Sequence, residues 1–371
     1  MVLRFFQELI IHSFGFAQDK SSFPMYLRNL LKLARHDFTL SPQVAVYYVT
    51  MQCNLNCAYC EDFGARRNHQ VTQTPPLEDA KKILRVIRSG VDRLWLTGGE
   101  PLLHPQILDL LAYAKNELKF RQISLITNGT LLSEHLKPSN LLSFLDRLII
   151  SLDSLDASAL NAVSLPAAHA ENVIANAQAA AKLQKSRRFQ LSLNAVITPE
   201  TLPHMDNLIQ FCEENKIWLS LSPQAVNNLP RYELTTSPEY RAFIKRVIQI
   251  KQRGGFILGS LSYFNMLLDQ TPYECYPTLA PRILPDGWLA YPCRPMEKAA
   301  GEQGGLAVNL LHVQTWKEAW NIARQTYGQA PTSCVSCFQQ CYAEPSLMQA
   351  RPLEYLREKI RGVDLSAYAP G

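Results

Sequence analysis

Residues 53–60 read CNLNCAYC, in which Cys53, Cys57 and Cys60 have a C-x3-C-x2-C spacing. A β-like run ends just before them, so the cysteines are predicted to lie in the loop after a first strand. Three thiolates this close can bind three irons of a [4Fe–4S] cluster and leave the fourth iron without a protein ligand. A zinc site is the alternative, with His69 as a loosely spaced fourth ligand.

Short β-like runs alternate with helix-like runs around and after this loop. The β-like runs cover 44–50, 93–97, 122–127, 147–152, 190–197 and 217–221. The helix-like runs cover 77–89, 105–118, 133–145, 171–185 and 202–215. Six such units in succession favour a parallel sheet covered by right-handed crossovers. Periodicity leaves open whether the sheet is open or curled, but in both cases ligands bind at the carboxyl ends of the strands.

A second motif lies at the end of the second predicted strand. Residues 96–101 read LTGGEP, so that Gly98, Gly99 and Glu100 follow the strand directly. Glycines allow the backbone to approach a ligand closely, and a carboxylate suits an ammonium group. A simple glycine turn is the alternative, but it does not account for an acid at this position.

Together the two motifs resemble the radical S-adenosylmethionine (SAM) superfamily. Its signature is C-x3-C-x-aromatic-C after a first strand, with GGEP one strand–helix unit later, and the resemblance covers roughly residues 44–345. It implies an α/β fold with a partial (β/α)6 TIM-like barrel. It also implies a SAM-binding [4Fe–4S] cluster that reductively cleaves SAM to a 5′-deoxyadenosyl radical, which abstracts a hydrogen atom from the substrate.

The resemblance also assigns residues to SAM. The GGEP motif would hold the amino group, Ser151 would lie near the carboxylate and ribose, Asn194 would reach the ribose, and Tyr59 would face the adenine. The full set is Tyr59, Gly98, Gly99, Glu100, Ser151, Asp153 and Asn194. The alternative for the weaker matches is an ordinary polar strand end or a packed aromatic ring. In one departure, residues 156–163 (DASALNAV) lack the arginine that the family often carries there.

Five more cysteines lie near the C-terminus, and the hairpin-like segment 284–293 (LPDGWLAYPC) lies among them. This region resembles the twitch extension, a short form of the SPASM domain that binds one auxiliary [4Fe–4S] cluster. The resemblance implies the ligands Cys275, Cys293, Cys334 and Cys337, with Cys341 either replacing one of them or free. A structural zinc site is the alternative. Cys212, on a predicted helix, is interpreted as a buried thiol.

These patterns divide the chain into predicted segments. They are an N-terminal extension with an amphipathic helix (1–40), the barrel (41–225), a connecting helical region (226–270), the auxiliary cluster domain (271–345) and a C-terminal helix and tail (346–371). Met25 is an alternative start. The basic amphipathic helix at 26–38 is predicted to pack on the domain through its leucines, with contact to a membrane surface as the alternative.

Composition narrows the class of protein further. The chain has 371 residues, nine cysteines and a formal charge of +5. Nine cysteines without a secretory signal predict a cytoplasmic protein that uses them for metal or redox chemistry rather than for disulfides. No run of apolar residues is long enough for a membrane span, and the mild charge gives no indication of nucleic acid binding.

The expected function is an oxidative reaction, either a dehydrogenation or a bond formation, on a small biosynthetic molecule. An auxiliary cluster is suited to accept an electron from a substrate radical, and a flavodoxin or ferredoxin would supply the electron for SAM cleavage. The alternatives are a maturase of ribosomal peptides and an enzyme that modifies lipids or tetrapyrroles. A non-catalytic iron–sulfur sensor is disfavoured, because a sensor has no use for a SAM ammonium site. The sequence assigns no catalytic acid or base.

Overall fold

The computed structural model describes residues 23–360, except 39, 61, 64–73, 137–140, 165, 185, 187, 227–228, 300–303 and 329–336. Within these residues, ten strands form one sheet in the order β12-β11-β10-β1-β2-β3-β4-β5-β6-β9. They are β1 (Ala45–Tyr48), β2 (Arg93–Thr97), β3 (Gln122–Thr127), β4 (Arg147–Ser151), β5 (Gln190–Ile197), β6 (Trp218–Pro223), β9 (Ile257–Leu258), β10 (Arg282–Ile283), β11 (Trp288–Tyr291) and β12 (Gly305–Asn309). A separate short hairpin joins β7 (Ala225–Val226) to β8 (Leu229–Pro230).

Strands β1 to β6 pair in sequence order and all run parallel. This confirms the predicted α/β fold with a partial barrel. The sheet is not closed, because β12 and β9 form its two edges and do not pair with each other. Along β4 the buried side chains alternate with half-buried ones, so one face packs against helices while the other faces the interior of the partial barrel.

The helices of the barrel cover the outer face of the sheet. They are α1 (Phe23–Ala34), α2 (Leu77–Arg88), α3 (Ile107–Ala112), α4 (Leu132–Leu136), α5 (Ala157–Val163), α6 (Ala167–Gln184) and α7 (Met205–Asn215). A π-helical turn, Tyr113–Glu117, continues α3. The predicted helix at 133–145 is replaced by α4 and a separate 3-10 turn, Leu141–Ser143. Pro138 in the intervening sequence disfavours a continuous helix.

The C-terminal part continues the barrel sheet. Its helices are α8 (Tyr232–Thr235), α9 (Pro238–Gln252), α10 (Leu261–Asp269), α11 (Arg294–Ala299), α12 (Trp316–Tyr327), α13 (Gln340–Ala350) and α14 (Pro352–Ile360). The predicted hairpin is confirmed, since β10 pairs antiparallel with β11. Strand β10 also pairs parallel with β1, where Arg282 stands opposite Val46. The hairpin therefore brings the region of the C-terminal cysteines beside the first barrel strand.

The N-terminal helix packs on α13, and it uses only part of the face that its leucines predict, because Leu30 and Leu33 pack against buried residues. Tyr26 is buried, and its hydroxyl donates to the carbonyl of Met348 at 2.9 Å. Leu27 and Leu31 stay 42% and 52% exposed. The packed face is therefore rotated toward Tyr26 and the buried Asn29, which exchanges two hydrogen bonds with the backbone of Ser41. None of the described helices is long and apolar enough to cross a membrane.

Candidate functional site

The three cysteines of the first motif lie in the loop that follows β1, and backbone hydrogen bonds hold this loop in place. Cys53, Cys57 and Cys60 are all half-buried. Backbone amides point at two of the sulfurs, with Leu55 N 3.5 Å from Cys53 Sγ and Phe63 N 3.2 Å from Cys60 Sγ. Amide hydrogen bonds to sulfur stabilise thiolates and tune iron–sulfur clusters, so this loop suits such a cluster. Burial raises the pKa of Cys57 to about 12, and it also raises the pKa of Cys53.

The two glycines of the second motif pack directly on this cysteine loop. The amide of Gly99 donates to Thr50 O at 2.9 Å, and that of Glu100 donates to Gln52 O at 2.7 Å. A Cβ atom on Gly98 would lie 2.3 Å from Thr50 O, and one on Gly99 would lie 1.9 Å from Gln52 O. The close approach predicted toward a ligand is thus an approach to the backbone just before Cys53, and it fixes the position of the loop.

The carboxylate of Glu100 is fully buried and ties β2 to β3. It accepts hydrogen bonds from Leu102 N at 3.0 Å, Thr127 Oγ1 at 2.7 Å and Asn128 N at 2.7 Å. Burial raises the pKa of this acid, while the three donors lower it. The side chain of Asn128 in turn donates to Asn54 Oδ1 in the cysteine loop at 2.8 Å. Glu100 therefore organises the end of the barrel, and its predicted contact with the SAM ammonium stays a prediction.

Tyr59 and Asp153, both predicted to serve SAM, bind each other. The Tyr59 hydroxyl donates to Asp153 Oδ2 at 2.5 Å, and Val196 N donates to Asp153 Oδ1 at 2.9 Å. Burial raises the pKa of both groups. A further bond joins the loop to α5, because Ala58 N donates to Val163 O at 2.8 Å. The cysteine loop is thereby fixed to the ends of β4, β5 and α5.

Ser151 and Asn194 stand side by side, as paired residues of β4 and β5. The Oδ1 atom of Asn194 accepts a hydrogen bond from Ser220 Oγ at 3.0 Å. Ser220 also contacts Gln340 Oε1, and Gln340 Nε2 donates to Leu258 O at 3.2 Å. Sequence reasoning missed Gln340, which lies 120 residues from Ser220 and belongs to a helix that was not predicted. Through this chain, α13 contacts the predicted ribose site.

The C-terminal cysteines gather around the start of α13. Cys275, Cys293 and Cys337 are buried, and Cys341 is half-buried. Cys334 lies outside the described residues, as does His69. Cys212 is confirmed as a buried thiol of α7, away from both groups.

Contacts around Tyr342 and Ser346 join the second group. Ser346 Oγ lies 4.0 Å from Cys275 Sγ. The Tyr342 hydroxyl accepts hydrogen bonds from Arg282 Nε at 3.1 Å and from Arg294 N at 3.3 Å, and Arg294 follows Cys293 directly. Tyr273 donates to the carbonyl of Cys337. Helix α13 thus contains Cys341 and contacts Cys275 and the residue that follows Cys293.

Among the described residues, no three or more Cys, His, Asp or Glu side chains are close enough to hold a single metal ion. A zinc ion binds its ligands at about 2.0–2.3 Å and draws them tightly together. Thiolates are also the usual ligands of a cubane iron–sulfur cluster.

Comparison with known proteins identifies the class. Residues 47–212 match the Radical SAM superfamily. That segment contains the end of β1, the cysteine loop, the GGEP motif and β2 to β5. The chain therefore contains a radical SAM domain, and this family implies a SAM-binding [4Fe–4S] cluster and SAM itself.

Individual relatives resemble different parts of the chain. A probable GTP 3′,8-cyclase of Methanococcus aeolicus is 27% identical over 178 residues, which is 47% of this chain and 56% of the relative. The chain thus spans about half the length of that curated relative. The SAM-bound structure of anSMEcpe aligns over 89% of this chain and 98% of its own, with a TM-score of 0.60 and 16% identity. Streptococcus suis SuiB bound to its precursor peptide SuiA aligns over 83% and 74%, with a TM-score of 0.58 and 22% identity. At these identities the two structures show a common fold.

Proposed function

We propose that the chain is a SAM-cleaving enzyme that abstracts a hydrogen atom from its substrate and completes an oxidative reaction, either a dehydrogenation or a bond formation. The observation that carries this proposal is the interlocked cysteine loop, which Gly98, Gly99, Tyr59 and Asp153 hold at the carboxyl ends of the strands. When bound, the cluster and SAM supply a 5′-deoxyadenosyl radical. Cys53, Cys57 and Cys60 would hold the cluster, and an electron would come from a flavodoxin or ferredoxin.

The protein residues supply position and shelter. Glu100 and Asn128 keep the ends of β2 and β3 against the loop, and Ser151 and Asn194 present polar atoms on the next two strands. The sheet and the C-terminal helices enclose this end of the barrel, which limits the access of water to a reactive radical. SAM would lie across these strand ends, with its amino group toward the GGEP motif.

The oxidative outcome rests on the second cysteine group. An auxiliary [4Fe–4S] cluster on the C-terminal cysteines would accept one electron from the substrate radical, so that hydrogen-atom loss followed by electron loss removes two electrons in total. Support comes from the position of this group, since β10 pairs with β1 and lies beside the loop of the first cluster. The candidate ligands are Cys275, Cys293, Cys334, Cys337 and Cys341.

The substrate we favour is a small biosynthetic molecule. A peptide is the second candidate, because SuiB and anSMEcpe, both solved with peptides bound, align over 83% and 88% of this chain. These alignments extend into the C-terminal region, whereas the sequence match to the cyclase covers 47% of the chain.

The test is iron content and low-temperature EPR on anaerobically reconstituted protein. Wild type should bind about eight irons, and a Cys53/Cys57/Cys60→Ala variant about four. With dithionite, wild type should form 5′-deoxyadenosine and the variant none, while a Cys212→Ala control behaves as wild type. Equal 5′-deoxyadenosine formation by the triple variant would refute the proposed SAM site. An iron content of only about four in wild type would refute the auxiliary cluster and, with it, the proposed oxidative reaction.

A further inference from the structure

Arg282, on β10, is a buried cation whose contacts include no carboxylate among the described residues. Its side chain is 7% exposed. Its guanidinium places Nη2 2.8 Å from Cys341 Sγ and Nε 3.1 Å from the Tyr342 hydroxyl, and it lies 4.9 Å from the centre of the Tyr342 ring. A buried charge is costly unless an opposite charge accompanies it. Among the described residues, the contacts of Arg282 thus include no carboxylate that would balance its positive charge.

A neighbouring arginine provides the contrast. Arg294 is also buried, but it pairs with Asp62 at 3.2 Å and with Glu297. Lys298 adds a second cation to Asp62 at 2.7 Å. Carboxylates of the chain therefore balance the positive charges of Arg294 and Lys298. No carboxylate of the described residues balances the positive charge of Arg282 in the same way.

The sequence around Cys341 indicates what supplies the negative charge. Cys334, Cys337 and Cys341 have a C-x2-C-x3-C spacing, which is the spacing of Cys53, Cys57 and Cys60 in reverse order. Three thiolates within eight residues can bind three irons of a cluster. The Tyr342 hydroxyl, which Arg282 contacts, also accepts a hydrogen bond from the amide that follows Cys293, so Arg282 lies beside residues of the cysteine group.

We propose that Cys341 is a ligand of the auxiliary cluster, and that Arg282 is the positioning cation that balances the cluster's charge through the Cys341 sulfur and raises its reduction potential. This inference rests on the proposed function, since it requires the auxiliary cluster. One-electron reduction adds one negative charge to the cluster, and a guanidinium beside a ligand sulfur stabilises that added charge. A higher potential makes the cluster a better acceptor of the electron that the substrate radical gives up.

The first experiment isolates the auxiliary cluster in the full chain by using the Cys53/Cys57/Cys60→Ala background. Adding Cys341→Ala should lower the iron content below about four per chain or, where another cysteine takes its place, change the EPR g-values. Adding Cys212→Ala, the control, should change neither. Unchanged iron and unchanged g-values in the Cys341→Ala protein would overturn its role as a ligand.

The second experiment measures the midpoint potential of the same cluster by EPR-monitored titration. Arg282→Gln should make the reduced form about tenfold less populated at a fixed potential, a negative shift of about 59 mV for one electron. Arg282→Lys, which keeps the charge, should shift it less. Arg246→Gln removes one positive charge from an exposed pair with Asp206 and should leave the potential unchanged.

The results separate the two proposals. An unchanged potential in a folded, iron-loaded Arg282→Gln protein would overturn the role of Arg282. If Arg282→Gln does not fold, an Arg282→Met protein, which also removes the charge, would do the same if its potential equals that of wild type. A triple-alanine background that binds no iron would instead refute the auxiliary cluster, and with it the proposed function.

Discussion

Each of the two cysteine groups contains three cysteines within eight residues, but the chain surrounds the two groups differently. The first group is half-buried and is held by backbone contacts from Thr50, Gln52 and the GGEP motif. The second group is mostly buried and is surrounded by the side chains of Arg282, Tyr342 and Ser346. A cluster that must bind SAM needs room on one side, whereas a cluster that only exchanges electrons can be enclosed. The difference in burial thus matches the difference in the proposed roles.

The largest effect is expected from Gly99→Ala, which tests whether backbone packing holds the first group. The new Cβ would lie 1.9 Å from Gln52 O and 3.0 Å from Cys53 Cβ, so the cysteine loop must move. We expect the loss of about four irons and of 5′-deoxyadenosine formation, with the auxiliary EPR signal retained. Gly254→Ala is the control for a strained glycine away from the cysteine loop: its φ is 84° and nothing lies within 4 Å of its Cβ position, so it should lower stability but keep all the iron. Full iron loading of the Gly99→Ala protein would contradict this account of the first group.

A smaller effect is expected from Tyr59→Phe, which leaves the buried carboxylate of Asp153 without its hydroxyl donor. An unmet buried acceptor costs about 1–3 kcal/mol, so the free energy of unfolding should fall by that amount. SAM binding should also weaken, by about tenfold, which corresponds to about 1.4 kcal/mol. A double variant with Asp153→Asn measures the coupling between the two side chains. Strictly additive losses in the double-mutant cycle would show that the pair does not act as a unit.

Gln340→Leu tests whether the two regions are connected. The substitution removes the contact with Ser220 and the hydrogen bond to Leu258 O. Ser220, which donates to Asn194, then loses its contact with α13. We expect a loss of about 1 kcal/mol in stability and a few-fold weaker binding of SAM, with the iron content unchanged. Gln210→Leu, at an exposed helical pair with Glu214, is the matched control. SAM affinity equal to that of wild type would show that α13 and the ribose site are independent.

The smallest effect expected is a pH dependence of stability that comes from Glu344 within α13. Burial raises the pKa of Glu344 from 4.5 to about 7. The folded state therefore holds this proton more tightly than the unfolded state, so stability should fall as pH rises from about 4.5 to about 7 and then level off. Glu344→Gln should flatten this slope in urea titrations. A variant with the same slope as wild type would mean that another group causes the dependence.

Local pattern predicted the elements of the fold well. The strands at 93–97, 122–127 and 190–197 have the predicted bounds. Helix α13 was missed because Pro345 and several buried polar residues, Gln340, Glu344, Ser346 and Gln349, hide its apolar face. The predicted face of the N-terminal helix was partly wrong for a related reason: Leu27 and Leu31 are exposed, and Tyr26 binds Met348, a partner 322 positions away that no local pattern contains.

At the candidate site, too, sequence patterns predict residue types but miss contacts between residues that are far apart in the chain. Cysteine spacing and GGEP indicate residues that bind a cluster and SAM, since that chemistry restricts residue type and interval. The pairing of Tyr59 with Asp153, and of Arg282 with Cys341, joins residues 94 and 59 positions apart. Such contacts depend on the sheet order, in particular on β10 lying beside β1.

The most direct test of the central difference is EPR of the reduced protein with and without SAM, in wild type and in the Cys53/Cys57/Cys60→Ala variant. The open first cluster and the enclosed second one predict that SAM changes the spectrum of wild type and leaves that of the variant unchanged. A SAM-dependent change in the triple variant would show that the second cysteine group binds SAM, and it would contradict the assignment of the two groups.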